Sequence, residues 1–265
     1  MCYLSAGPIG VPSMSSISHP SLSRSATIAR AFGARVAEYE SHAGLQRIVA
    51  ERLATFLPPR SCPRVLELGC GTGLLSRRLI ESYPDGSFLL TDLAPAMLAE
   101  CRRNLGDKAG TAQFQTMDAS RPVADGPFDL IAMSMILHWL PDPVAVLRQL
   151  QGLLAPGGML LYATISGSSF PEWRDVLERL SLASGLVELP ELPGVIDEEM
   201  LVAGSDTLTF LRRMKAVGGI TAKEGYAQLS AGQLRRAIRL ADCDHGGRIT
   251  WHILYGRLGA SFVSD

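Results

Sequence analysis

The sequence lacks a long apolar run and an excess of basic charge. Its longest apolar stretches lie around Leu130–Leu140 and Met159–Ala163, and both are shorter than the roughly 20 residues that a membrane-spanning helix needs. The formal net charge is -1 over 265 residues, so no overall positive field points to a nucleic acid. We therefore expect neither a membrane nor a nucleic acid as a partner.

Cysteine is also scarce, and its spacing excludes two common kinds of site. No C-x-x-C pair and no cluster of cysteine with histidine occurs, so neither a metal site nor a disulfide framework is expected. The cysteines are odd in number and scattered, which predicts a reducing, cytoplasmic location; they are Cys2, Cys62, Cys70, Cys101 and Cys243.

Residues 1–25 lack the pattern of a signal peptide. They are rich in Ser, Pro and Gly, carry no charge before Arg24, and contain no continuous apolar core. We predict a disordered tail over residues 1–25 and a single domain over residues 26–260, since 265 residues leave little room for a second domain.

Short apolar runs alternate with segments of helical spacing along the rest of the chain. The runs predict a strand that starts at Arg64, and further strands at Ser87–Leu90, Thr111–Thr116, Phe128–Met133, Met159–Thr164, Glu199–Ala203 and Arg248–Leu258. A turn is predicted at Pro156–Gly158. Helices are predicted within residues 26–58 and at Leu74–Ile80, Pro95–Leu105, Pro143–Leu154, Pro171–Ser184, from an Asp206 cap to Val217 and from a Ser230 cap to Ala241. This alternation predicts an α/β fold with a doubly wound, parallel sheet.

The stretch RVLELGCGTGLL, from Arg64 to Leu75, combines a strand, a glycine turn and the start of a helix. This order is typical of a nucleotide-binding βαβ unit, in which glycine adopts positive φ and lets a ligand approach the backbone. The spacing of Gly69, Gly71 and Gly73 is G-x-G-x-G, which differs from the dinucleotide pattern. Because Glu67 precedes the loop, a cationic ligand is favoured over a pyrophosphate. S-adenosylmethionine, which carries a sulfonium and an ammonium group, has that chemistry.

Acidic residues also end the next two predicted strands. Asp92 follows the second strand, where a carboxylate can accept both ribose hydroxyls, and Asp118 follows the third, where it can reach an adenine amino group. Ligands of such sheets bind at the carboxyl ends of the strands. The alternative is that both residues are helix caps. With the glycine loop just upstream, we favour the cofactor interpretation.

The fourth strand ends in MSMILHWLPDP, which places Ser134, Met135 and His138 at the same edge. His138 has two interpretations: a general base, or a packing residue that shapes the cofactor pocket. We favour packing.

Several segments of the sequence resemble those of a known enzyme family. VLELGCGTG, LTDLAPAML, Asp118 and FDLIAMSMILHWLPDP are similar to class I S-adenosylmethionine-dependent methyltransferases. The flanking segments AFGARVAEYESHAGLQ, HWLPDPVAVLRQLQGLLAPGG, LRRMKAVGGI and ITWHILYG together resemble the malonyl-acyl-carrier-protein O-methyltransferases of the biotin pathway. In the final segment, Trp251 stands where that resemblance leads us to expect Tyr.

The resemblance implies a fold, a cofactor and a site. The fold is a Rossmann-like, mostly parallel seven-stranded sheet with an antiparallel last strand and a helical lid over residues 166–198. Catalytic roles are implied for Tyr39, His138 and Arg212. The cofactor is S-adenosylmethionine, and the residues expected to bind it are Tyr39, Glu67, Gly69, Cys70, Gly71, Gly73, Asp92, Leu93, Met97, Asp118, Ala119, Ser134 and Met135.

The resemblance also implies an acceptor, the free carboxylate of a malonyl group on acyl-carrier protein, with malonyl-coenzyme A as a second carrier. This carboxylate is already ionised near neutral pH, so its methylation requires no general base. Arginine is the natural partner for it, and the candidates are Arg212, Arg213 and Arg174. A carrier protein is typically acidic, and a basic patch for docking is expected on two predicted helices, from Arg212, Arg213, Lys215, Arg235, Arg236 and Arg239.

Two other functions remain open at this stage. The first is methylation of another small carboxylate, such as an aconitate, or of a quinone or other carbon nucleophile. Carbon methylation needs a base, which would give His138 a catalytic role. The second is a non-catalytic protein that binds the cofactor on the same fold, which the intact glycine loop and the acidic residues disfavour.

Overall fold

The structure is a computed structural model that describes residues 43–186, 188–203, 206–216 and 226–260. The predicted tail over residues 1–25 lies outside these residues, as do the first predicted N-terminal helix, Tyr39 and the predicted helix end at Val217.

The described residues form a regular alternation of strands and helices. The strands are β1 (Arg64–Leu68), β2 (Ser87–Asp92), β3 (Gln113–Thr116), β4 (Phe128–Ser134), β5 (Leu154–Ile165), β6 (Val195–Ala203) and β7 (Ile249–Gly259). The helices are α1 (Gly44–Ala54), α2 (Leu74–Ser82), α3 (Pro95–Leu105), α4 (Pro143–Gln151), α5 (Pro171–Arg179), α6 (Thr207–Ala216) and α7 (Ala231–His245), with short 3-10 turns at Gly106–Ala109 and Leu137–Trp139. None of the helices within the described ranges is both long and apolar enough to cross a bilayer.

The strands form one sheet in the order β3-β2-β1-β4-β5-β7-β6. Neighbouring strands from β3 to β5 pair in parallel, whereas β7 runs antiparallel to both β5 and β6. The predicted seven-stranded, mostly parallel sheet with an antiparallel last strand is therefore confirmed. The strand order reverses between β1 and β4, so a crevice opens at their carboxyl ends, where ligands of such folds bind.

The two faces of the sheet pack against helices because successive side chains of a strand point to opposite sides. On β1, Val65 packs with Leu53 of α1 and Leu79 of α2, whereas Leu66 packs with Leu147 of α4 on the other face. All four of these leucines and Val65 are almost completely buried. The strand that leads into the glycine loop is thus held on both faces.

Two predicted helix starts are confirmed by their caps. Ser230 and Gln233 form a capping box at the start of α7, with Gln233 N donating to Ser230 Oγ and Ser230 N donating to Gln233 Oε1. At the start of α6, Thr209 N donates to Asp206 Oδ1 over 2.7 Å. Each side chain satisfies a backbone donor that the helix itself leaves free.

Some predicted bounds were wrong because strand pairing overrides local sequence. The predicted turn at Pro156–Gly158 is an irregularity inside β5, where pairing with β4 shifts from Phe128–Leu154 to Leu130–Met159. A side chain at Gly158 would lie 2.8 Å from the carbonyl oxygens of Ala155 and Phe128, so this bulge requires glycine.

The segment that follows β5 also differs in detail. The helix α5 ends at Arg179 instead of Ser184, and β6 starts at Val195 instead of Glu199, because its first residues already pair with β7. The segment 166–198, expected as a lid, therefore contains α5 and the first residues of β6. Helix α5 shares a small apolar core with α7, formed by Val176, Leu177, Ala237 and Ala241.

Candidate active site

The loop between β1 and α2 has a backbone that only glycine accommodates well. Gly69, Gly71 and Gly73 have φ values of 67°, 53° and 94°, in the left-handed region that disfavours other residues. A side chain at Gly69 would lie 2.4 Å from Ile136 Cγ2, and one at Gly73 would lie 3.0 Å from Cys101 Sγ. At Gly71 the space is open, so the backbone there faces the cavity described below.

Asp92 connects this loop to the end of β2. Its Oδ2 accepts a hydrogen bond from Gly71 N over 2.9 Å, and its Oδ1 accepts one from Ala94 N over 2.8 Å. Burial raises the pKa of Asp92, while these backbone donors act in the opposite direction. Each carboxylate oxygen has more than one acceptor direction, so both can accept a further hydrogen bond from a ligand.

Glu67 lies beneath the loop and is only 1% exposed. Ser76 Oγ donates to its Oε2 over 2.6 Å. Burial raises the pKa of Glu67 well above its ordinary value. A cation placed beside this carboxyl group would lower that pKa again, so the group is suited to a positively charged ligand.

These residues surround a cavity at the carboxyl ends of β1, β2 and β4. About 1110 Å³ of space lies in this cavity and in the solvent at its open mouth. Most of the residues that were predicted to bind the cofactor form the lining of this cavity. They are Glu67, Gly69, Cys70, Gly71, Asp92, Leu93, Met97, Asp118, Ala119, Ser134 and Met135. Gly73 does not line the cavity and instead packs against Cys101, and Tyr39 lies outside the described residues.

Asp118 forms part of the wall that β3 contributes. Ser120 N and Ser120 Oγ donate to Asp118 Oδ1 over 2.9 and 2.7 Å. The start of this segment is tied to β2, because Met117 N donates to Asp92 O over 2.9 Å. Asp92 and Asp118 therefore lie on neighbouring walls of one cavity, as their positions after consecutive strands predicted.

Two polar residues of the cavity wall were not predicted from the sequence. They are Gln46 on α1 and Thr72 in the glycine loop. Gln46 Oε1 and Thr72 Oγ1 are buried and accept no hydrogen bond from any residue that the structure describes. A buried acceptor without a donor is destabilising, and both atoms belong to side chains that line the cavity. They are therefore suited to accept hydrogen bonds from a ligand. The signal for Gln46 was its place at the end of the segment AFGARVAEYESHAGLQ.

His138 is held beside the cavity and is not among the described residues of its wall. Its Nδ1 lies 3.0 Å from Thr164 Oγ1, and its ring packs at 5.0 Å from that of Trp139, which does line the cavity. Burial lowers the pKa of His138 to about 3, so the imidazole is neutral at ordinary pH. This geometry fits the packing interpretation, and a catalytic role for His138 stays a prediction.

The candidate arginines occupy different environments. Arg212 and Arg213 are exposed on α6, and neither is among the described residues that line the cavity. Arg174, on α5, is likewise not among the described residues that line the cavity, but it is half-buried, and its Nε donates to Ser169 O over 3.0 Å. The Ser166–Ser169 turn lies at the carboxyl end of β5, so Arg174 stands at the same edge of the sheet as the cavity.

The start of β7 brings an aromatic cluster and a hydrogen-bonded histidine to this edge. Trp251 packs edge-on against Phe170 and Phe210, with ring centroids 4.7 and 5.9 Å apart. Beside it, His252 Nδ1 lies 2.8 Å from Ser166 Oγ, and its Nε2 lies 2.5 Å from Glu198 Oε2. The position at which Trp251 departs from the expected Tyr is therefore a packing position.

The chain is similar to known proteins over nearly its whole length. Residues 66–160 match a family described as a methyltransferase domain. A malonyl-[acyl-carrier protein] O-methyltransferase of Magnetococcus marinus is 36% identical over 255 residues, which cover 90% of this chain and 94% of that protein. This chain belongs to the malonyl-[acyl-carrier protein] O-methyltransferase family. It is an S-adenosylmethionine-dependent methyltransferase.

A second relative agrees with this family, and solved structures share its fold. The biotin biosynthesis bifunctional protein BioCD of Bordetella avium is 37% identical over 245 residues, which cover 87% of this chain and 52% of that longer protein. Among solved structures, the YcgJ protein of Bacillus subtilis has a TM-score of 0.56 at 17% identity, with 79% of this chain and 97% of that chain covered. Phosphoethanolamine N-methyltransferase 2 of Haemonchus contortus, solved with S-adenosyl-L-methionine, has a TM-score of 0.53 at 16% identity, with 91% of this chain and 61% of that chain covered. At these identities the structures support the fold alone.

Proposed function

We propose that this O-methyltransferase transfers the methyl group of S-adenosylmethionine to the free carboxylate of a malonyl group held as a thioester on acyl-carrier protein. The product is the malonyl methyl ester, and its place is in biotin (pimeloyl) synthesis. One observation carries the choice of acceptor. Similarity to the relative from Magnetococcus marinus covers 90% of this chain, whereas the methyltransferase domain alone spans residues 66–160. The similarity therefore includes segments that flank the cofactor site.

The cavity fits the proposed cofactor in its donors and acceptors. Asp92 keeps an acceptor on each carboxylate oxygen, which suits the two hydroxyls of a ribose. Asp118 offers an acceptor for an adenine amino group on the neighbouring wall. The oxygens of Gln46 and Thr72, which have no hydrogen-bond partner among the described residues, suit the ammonium group of the methionyl end, and Glu67 suits its positive charges.

The bound cofactor supplies an electrophilic methyl group, and the chain has to position the acceptor oxygen in line with it. A malonyl carboxylate is ionised near neutral pH, so no residue has to remove a proton. Burial lowers the pKa of His138 to about 3, which makes it a weak base, in agreement with a reaction that needs none. The rate enhancement then comes from proximity and orientation, which contribute about 7–11 kcal/mol in favourable cases. Apolar side chains, those of Ile136, Trp139 and Leu140, form part of the cavity wall.

A cationic side chain is still needed to orient the acceptor carboxylate. Of the three candidates, we favour Arg174 over Arg212 and Arg213. Its Nε–H is held by Ser169 O, which leaves the two terminal nitrogens to form a bidentate pair with a carboxylate. A half-buried guanidinium also loses less of its interaction to solvent screening than an exposed one.

A comparison of acceptors tests this function. Purified enzyme and S-adenosylmethionine are incubated with malonyl-carrier protein, malonyl-coenzyme A, free malonate or free aconitate, and S-adenosylhomocysteine formation is followed. We expect the highest kcat/KM for malonyl-carrier protein. Preference for a free dicarboxylic acid would contradict the proposal.

A further inference from the structure

Three arginines share the outer face of α7. Arg235, Arg236 and Arg239 are exposed, and their spacing places them on the side of the helix opposite the buried Ala237 and Ala241. No hydrogen bond or ion pair joins any of the three to another side chain within the ranges that the structure describes. We call this surface, formed by Arg235, Arg236 and Arg239, the α7 arginine face.

Acidic side chains close to α7 are already engaged elsewhere. Asp242 Oδ1 accepts a hydrogen bond from Thr207 N over 2.9 Å. Asp244 pairs with Arg179 over 2.7 Å, and Asp175 pairs with both Arg179 and His245 over 3.2 and 3.0 Å. Asp244 and Asp175 are therefore paired with groups other than the three arginines, and the hydrogen bond given for Asp242 goes to the backbone of α6.

Two arginines on other helices are, by contrast, paired with carboxylates. Arg52 of α1 pairs with Asp197 over 2.7 Å, and Arg78 of α2 pairs with Glu51 over 2.8 Å. The overall net charge of the chain is -1, so the positive charge at α7 is a local feature. Arg212 and Arg213 are exposed on α6, whose first residue, Thr207, is hydrogen-bonded to Asp242 of α7.

The α7 arginine face lies at the edge of the sheet where the cofactor cavity opens. Because β7 runs antiparallel to β5, its first residues lie beside the carboxyl end of β5, with Ile253 opposite Ile165. Helix α5 follows that end of β5, α7 precedes β7, and the two helices share an apolar core. The end of α7 that leads into β7 therefore lies at the end of the sheet that carries the cofactor cavity.

We propose that the α7 arginine face, extended by Arg212 and Arg213, is the docking surface for the acidic carrier protein that brings the malonyl group. This inference rests on the proposed function. Complementary charge increases the rate of encounter and orients the partner, and exposed charges act mainly through association. The α7 arginine face attracts the carrier protein, whereas the cofactor cavity and the residues beside it bind only the malonyl group that the carrier holds.

The test is a double charge reversal, Arg235→Glu with Arg236→Glu, assayed with two acceptors. With malonyl-carrier protein we expect kcat/KM to fall about tenfold or more, chiefly through a higher KM. With malonyl-pantetheine, a thioester that has no protein to dock, we expect kcat/KM to stay within about twofold of wild type. The wild-type preference for the carrier should also weaken from about 0.01 to 0.15 M salt, as the Debye length falls from about 30 to 8 Å.

A matched control separates local from global charge. Arg77 on α2 and Arg148 on α4 are also exposed, and their reversal to Glu changes the net charge by the same amount. We expect this control to methylate malonyl-carrier protein like wild type. Thermal unfolding midpoints and affinities for S-adenosylhomocysteine equal to those of wild type show that both variants are folded. If the Arg235→Glu, Arg236→Glu variant is not folded, the double variant Arg235→Gln with Arg236→Gln replaces it.

The outcomes test the proposed docking surface and the proposed function separately. Unchanged turnover of malonyl-carrier protein by the α7 variant overturns the docking surface, and so does an equal loss with malonyl-pantetheine. In both cases the proposed function still stands if wild-type enzyme methylates malonyl-carrier protein. Failure of wild-type enzyme to methylate it overturns the proposed function itself.

Discussion

Replacing Asp92 by Asn changes one atom at the centre of the proposed cofactor site. In the wild type, the carboxylate accepts hydrogen bonds from Gly71 N and Ala94 N over 2.9 and 2.8 Å. An Asn side chain has one oxygen and one NH₂ group, so one of these backbone donors would face another donor. The proposed pair of ribose hydroxyls would likewise lose one of its two acceptors.

The size of the effect follows from these bonds. A hydrogen bond to a charged group contributes roughly 1.5–3 kcal/mol, and an unsatisfied buried donor costs about 1–3 kcal/mol. We expect the loss of one ribose contact and the displacement of the loop to weaken binding by about 2–4 kcal/mol. That corresponds to an increase in Kd of roughly 30- to 700-fold.

Isothermal titration calorimetry with S-adenosylhomocysteine measures this increase. The control is Asp125→Asn, since Asp125 is exposed and is not among the described residues of the cavity wall. Its Kd should match that of wild type. An Asp92→Asn protein that is folded and binds within about threefold of wild type would refute the placement of the cofactor, because charge-assisted bonds of this kind contribute more than that.

Three further changes test other parts of the site. His138→Gln should lower turnover by less than about threefold, whereas loss of a general base costs about 100-fold or more. Burial lowers the pKa of His138 from 6.5 to about 3, so wild type should lose stability as pH falls from 6.5 towards 3. The loss is up to roughly 1 kcal/mol per pH unit, and urea unfolding should show a shallower dependence for His138→Gln. Gln46→Leu should weaken S-adenosylhomocysteine binding about tenfold in calorimetry without lowering the unfolding midpoint, since it removes a buried acceptor that has no donor in the described residues. Gly73→Ala should destabilise the fold by about 1–3 kcal/mol in urea, because φ is 94° there and the new side chain would lie 3.0 Å from Cys101 Sγ. Gly44→Ala, at a helix start where a side chain has open space, should leave the free energy of unfolding unchanged. Equal free energies of unfolding for the two glycine variants would contradict the backbone strain inferred at Gly73.

Local sequence was sufficient to predict the centre of the site. The glycine loop follows β1, Asp92 is the last residue of β2, and Asp118 comes two residues after β3. Parallel strands place their carboxyl ends at one edge, so the pattern alone predicted that these residues meet. The cavity lining confirms that they lie together.

Features that depend on distant residues were not predictable in this way. Gln46 reaches the cavity only because α1 packs beside α2 in the tertiary fold. The hydrogen-bond partner of His138 is Thr164, which lies 26 residues further along the chain, on β5. The start of β6 at Val195 likewise depends on pairing with β7, more than fifty residues later. Each of these contacts is set by packing between elements, which hydrophobic periodicity does not encode.

The most direct measurement of the proposed reaction locates the transferred methyl group. Enzyme, malonyl-carrier protein and S-adenosylmethionine with an isotopically labelled methyl group are incubated. The carrier-bound product is examined by mass spectrometry, and the acid and the methanol that base then releases are examined separately, because base also cleaves the thioester. If the carboxylate is methylated, each malonyl group gains one labelled methyl, and base releases the label as methanol. A label that remains on the carbon skeleton after base, or no label on the carrier-bound malonyl group, would contradict carboxylate O-methylation.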